Sequence, residues 1–120
     1  MIDTVQPLQN AALAAQSLAE HYRRHDLSRG NQGLIELAAE LRTLAIRVLT
    51  ESGQRGIDLS VNTGNGSLND HVGNLAAVLD TLIAAQASQD WVTVADILEY
   101  GVEPAIRRWA SALESLTATS

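Results

Sequence analysis

The sequence predicts an all-α protein: an up-down-up-down four-helix bundle with a long 53–66 connection and a kinked fourth helix. Three observations carry that expectation. Apolar residues recur at steps of three and four in four separate stretches, the period of a helix face turned to a core. Short, long and short connections separate the stretches, which suits antiparallel neighbours. The apolar content of 46% is ordinary for a globular chain, and 120 residues make one domain, 1–120, with one core.

The first helix follows a lead-in, Met1 to Gln6, and has Pro7 in its first turn, where a missing N–H costs nothing. Leu8, Ala11, Ala15, Leu18 and Tyr22 form its seam. His21, Arg23, Arg24 and His25 place cations at its negative end. The second helix starts between Ser28 and Gly33, with two glycines and Asn31 weakening its first turn. Leu34, Leu37, Leu41, Leu44 and Val48 carry its seam, Glu36, Glu40, Arg42 and Arg47 face out, and Gly53 caps its end.

Residues 53–66, GQRGIDLSVNTGNG, change character. Ile57, Leu59 and Val61 alternate with Asp58 and Ser60, the period of a strand. Three arrangements fit a lone strand in a helical chain: lying across the bundle with three side chains docked, pairing with a second subunit, or ordering on binding. The first is favoured, and connections of this length usually serve function. The third helix opens at Ser67, which forms a capping-box pattern with Asp70, and runs through Leu68, Val72, Leu75, Leu79 and Leu82 to about Ala87.

The fourth helix begins after Asp90, a good N-cap. Trp91, Val94, Leu98, Val102, Ala105, Trp109, Ala112 and Leu116 are its seam. Two successive steps of four around Gly101 break the alternation of three and four, a stutter. It coincides with Pro104, which has no N–H for the carbonyl of Tyr100, so a kink is expected there; Pro104 would equally suit the start of a separate helix. Asp96, Glu99, Glu103 and Arg107 fall on the side opposite Leu98 and Trp109, either a solvated face or a docking surface for a basic partner.

Composition removes several functions. The net charge of −6 argues against nucleic acid or an anionic membrane as partner. All eight cations are arginine, which excludes a phosphate-loop lysine and Schiff-base chemistry. Without cysteine there is no disulfide, thiolate metal site or cysteine nucleophile. The opening MIDTVQPLQ lacks the basic and apolar regions of a secretion signal, and no stretch is apolar enough to span a bilayer, so a cytoplasmic location is expected.

Candidate chemistry is sparse, and no cofactor is expected. His21 and His25, four apart, are a minimal metal clip with too few ligands. A di-iron site needs Glu-x-x-His pairs, and none occurs. His71 beside Asp70 has no placed nucleophile, so an enzyme built on this pair is the weakest reading. Tyr100 at the expected kink is the most suggestive single residue: with Trp91 or Trp109 it would line a groove for a partner helix. The residues expected to bind a partner are therefore Trp91, Glu99, Tyr100, Glu103 and Trp109, together with Ile57, Leu59 and Val61.

In size, acidity, lack of cysteine and architecture, with the run DWVTVADILEY (Asp90 to Tyr100) as its most distinctive phrase, the chain resembles small bacterial helical bundles of the flagellar export-chaperone type. That resemblance implies a bundle that binds a helical segment of another protein. The expected function is non-enzymatic protein binding in a chaperone or adaptor role. The alternative is self-association as a homodimer through the same surfaces.

Overall fold

A computed structural model describes residues 5–56, 60 and 66–118. The helices are α1 (Val5–Arg23), α2 (Leu27–Arg55), α3 (Leu68–Ala87), α4 (Trp91–Ile97) and α5 (Glu103–Ala118). A π turn, Leu98–Val102, joins α4 to α5 without leaving helical backbone, so the chain builds four rods, and no strand occurs among the described residues. Ile57, Leu59 and Val61 lie outside the described residues.

The two short connections are built alike. Asp26 N–H bonds the His21 carbonyl at 2.9 Å, and Asp90 N–H bonds the Ala85 carbonyl at 3.1 Å. Both satisfy a helix-end carbonyl through a left-handed residue, His25 and Gln89, each at φ 58°. The next residue then caps the following helix: Asp26 accepts from Arg29 N–H, and Asp90 from Thr93 N–H. The second helix therefore begins at Leu27, ahead of the expected start, because Asp26 supplies the cap that Gly30 and Gly33 do not. At its other end α2 passes through Gly53 and stops at Gly56, whose φ of 67° is the left-handed cap expected three residues earlier.

Those two glycines have another use. A Cβ on Gly30 would stand 3.0 Å from the Tyr22 ring, and one on Gly33 would stand 2.2 Å from Leu18. Their missing side chains let α1 and α2 approach closely. Tyr22 then ties this end of the bundle together. Its ring stacks on Trp91 at 5.8 Å between centroids. Its hydroxyl donates to Asn31 Oδ1 at 2.7 Å, an oxygen that also accepts from Gln86 Nε2 at 3.0 Å. Burial pushes the Tyr22 phenol above its ordinary pKa, against a smaller opposing effect of Gln86.

The core holds the seam residues read from the sequence: Leu8, Leu18, Leu37, Leu44, Leu75, Leu82, Leu98 and Trp109 are all buried. α1 packs along both α2 and the α4–α5 rod, and α3 packs on that same rod. Backbone approach between α2 and α3 is slight, so among the described residues the fourth side of the bundle stands open.

The irregularity expected in the fourth helix is a π turn. Glu103 N–H bonds the Leu98 carbonyl, five residues back. In a regular helix Glu103 would lie about 140° around the axis from Leu98. The wider turn seats it above Leu98 instead. Glu103 is consequently buried, with its carboxylate paired to Arg107, and does not stand on the expected solvent face.

Candidate functional site

The open side of the bundle is an apolar groove. Leu34, Ile35, Ala38, Leu41 and Ala45 of α2 form one wall. Val72, Leu75, Leu79, Leu82 and Ile83 of α3 form the other, and Trp109 of α5 lies beneath. Its volume is about 500 Å³. A smaller depression of about 40 Å³ extends it between Leu49 and Leu68, sharing Ala45, Val72 and Trp109. From Leu34 to Leu49 the α2 wall measures about 22 Å at 1.5 Å per residue, the length of about four helical turns.

The groove exists because α2 and α3 are each apolar on more than the seam. Ile35 and Ile83 are 65% and 58% exposed, and Leu49 is 58% exposed, although all three are large and apolar. Only Arg42, Asp80 and Gln86 add polarity to the main groove. Arg42 and Asp80 stand on opposite lips, and Gln86 closes one end through its bond to Asn31. The indole Nε1 of Trp109 is buried without a hydrogen-bond partner among the described residues.

The aromatic residues expected to line one groove are in three places. Trp91 is half-buried against Tyr22 at the connection end of the bundle. Tyr100, 73% exposed, borders a separate shallow depression with Val78, Thr81, Asp96, Ile97 and Gly101. Trp109, 1% exposed, belongs to the α2–α3 groove. Tyr100 faces solvent on the side of the rod opposite Leu98 and Val102, which enter the core. Glu99 is engaged by Arg23 of α1 at 2.5 Å, and the same guanidinium reaches Asp96 at 3.2 Å. Glu99, then Asp96, hold the Arg23 pKa above its ordinary value. The acidic stripe thus serves α1, and its Glu103 is turned inward.

The histidines also sit differently from expectation. α1 ends at Arg23, so His25 stands in the turn and shares no helix face with His21. Among the described residues no group of three acidic or histidine side chains is placed to hold a metal ion. Asp70 receives the Ser67 backbone N–H at 3.0 Å, while its own N–H donates to the Ser67 hydroxyl at 3.1 Å. Those bonds, the backbone one first, hold the Asp70 carboxyl below the usual carboxylate range. His71 is buried beside it, its Nδ1 without a partner among the described residues.

Sequence reasoning missed Ile35, Leu49 and Ile83. The available signal was their place off the seam: Leu34, Leu37, Leu41, Leu44 and Val48 already supply the buried face of α2, so further large apolar residues there are left exposed among the described residues. No helix among the described residues is long and apolar enough to cross a membrane.

Residues 1–112 match the model of a family described as a domain of unknown function, DUF8042. The chain belongs to that family. No curated protein and no solved structure matches it.

Proposed function

We propose that the protein is a non-enzymatic helical bundle that binds another protein, in a chaperone or adaptor role, by receiving an amphipathic helix of its partner between α2 and α3. The carrying observation is the groove itself: an apolar channel one helix long, open between α2 and α3 among the described residues. A helix laid there offers apolar side chains at every third and fourth position, matching the two walls. A patch of large exposed aliphatic residues on a small chain marks an interaction surface more often than a solvated one. A chain without cysteine suits the cytoplasm.

The test compares tagged full-length protein with its Ile83→Glu form in extract of its own cells. A stoichiometric partner that the wild type retains and the variant loses supports the reading. Recovery of no stoichiometric protein by the wild type counts against it, and so does a partner held equally by both.

A further inference from the structure

The groove carries information beyond its apolarity, and this inference rests on the docking reading above. Arg42 and Asp80 are the two charged residues lining it, one on each lip. Neither has an ion-pair partner among the described residues. Their own helices explain why. Three and four positions from Arg42 stand Ala38, Ala39, Ala45 and Ile46. Three and four positions from Asp80 stand Ala76, Ala77, Ile83 and Ala84. No neighbour on either helix face can pair them. Elsewhere Arg23, Arg24, Arg29 and Arg107 hold carboxylates, while Arg47 and Arg108, which do not line the groove, hold none among the described residues.

The axial register of the two lips follows from two contacts. The side chains of Asn31 and Gln86 are bonded at 3.0 Å, and Ala45 and Val72 border the same depression. α2 and α3 run antiparallel between those marks, which places Arg42 level with Leu75 and Asp80 level with Leu37. The two charges are thus offset by five residues of α2, about 7.5 Å along the groove. On a docked helix, opposite flanks of an apolar stripe are occupied by heptad positions g and e, and a g residue stands five before the next e.

We propose that the groove selects a partner helix whose apolar stripe carries an anion on one flank and a cation on the other, five residues apart, the anion meeting Arg42 and the cation meeting Asp80. The pair sets which way the partner helix runs. It also discriminates against helices of uniformly acidic or uniformly basic flanks, each of which leaves one lip charge opposed by its like.

Three synthetic helical peptides without aromatic residues test this, sharing one leucine stripe. The first has glutamate and lysine flanks at the five-residue spacing, the second glutamate on both, the third lysine on both. Binding to the full chain is followed by calorimetry and by the fluorescence of the groove-floor Trp109, at 0.15 M salt. Half-exposed ion pairs of this kind give about three- to fivefold each, so the wild type prefers the split peptide over the all-glutamate one by about tenfold. Any attachment of the lysine peptide to the acidic surface at large persists in Ile83→Glu and Ala38→Glu, whose folding circular dichroism verifies, and is subtracted. Arg42→Glu makes both lips acidic and moves the preference to the lysine peptide. Asp80→Lys moves it to the glutamate peptide. Equal groove-dependent affinities with no reordering in the variants overturn the charge rule and leave helix docking standing. Groove-independent binding of all three, or a wild-type dimer that Ile83→Glu dissolves, overturns both and makes a second copy the occupant in the latter case.

Discussion

Gly33 and Gly53 are both helical glycines of α2, and they are there for different reasons. A Cβ on Gly53 or on Gly73 of α3 meets nothing within 4 Å, whereas one on Gly33 lands 2.2 Å from Leu18. Alanine at Gly53 or Gly73 therefore keeps only the backbone benefit and stabilises by about 0.5 to 1 kcal/mol each. Alanine at Gly33 gains the same term but expels a buried leucine, for a net loss of about 1 to 2 kcal/mol. Urea titrations of the single variants check both signs. The Ser67–Asp70 box makes a second residue-level prediction. A carboxyl with a depressed folded pKa contributes stability that is whole above its unfolded pKa of about 4 and is lost as pH falls through the lower folded value. Asp70→Asn is accordingly less stable than wild type at pH 6. The gap between their melting temperatures narrows as pH falls below about 4 and closes once the folded carboxyl is protonated. A gap constant across that range would place the role of Asp70 outside its charge.

At the scale of elements, the fourth rod shows how far periodicity reaches. Two steps of four in its seam located the irregularity at Gly101, and the structure has a π turn over Leu98–Val102. What periodicity left open was its form. A stutter can be absorbed by supercoiling, by a kink or by one wide turn, and Pro104, which lacks an N–H, suits each of them. The wide turn has a measurable consequence, because it houses one residue more than an α-helix of the same rise. Deleting Tyr100, exposed within that turn, lets α4 and α5 join as regular helix with their faces still aimed as now, at a cost below about 2 kcal/mol. Deleting Ala77, equally exposed but inside α3, rotates Leu68 and Leu75 by about 100° against Leu82 and costs more than about 4 kcal/mol. Thermal unfolding of the two deletions separates a housed extra residue from one in register. The connections were legible less fully. Left-handed His25 and Gln89 carry none of the glycine that usually marks such a turn, and the aspartates that follow them were the readable half.

For the whole molecule, the helices and their seams were written in the chain, and the site was not. Periodicity identifies which residues leave water, but whether two helices close on each other depends on distances between rods. Those distances come from Gly30 and Gly33, which draw α2 onto α1, and from the π turn, which aims α4 and α5 separately. Rarity drew attention to Trp91, Tyr100 and Trp109, yet packing consumes Trp109 and part of Trp91, and aliphatic residues supply the open surface. The division between inside and outside runs between neighbours: Leu82 is fully buried and Ile83 is 58% exposed, with both bordering the groove. Leu44→Ala, at a fully buried position that does not line the groove, leaves a cavity in the core and costs about 2 to 5 kcal/mol. Ile83→Glu removes little buried area and shifts folding stability by about 0.5 kcal/mol or less, while it sets a charge in the path of any docked helix. Denaturation and partner retention measured on the same two variants should therefore dissociate. The leucine variant loses stability yet keeps binding where it remains folded, and the glutamate variant does the reverse. Were Ile83→Glu to unfold the bundle, its side chain would be part of the core and the groove between α2 and α3 would be closed in solution.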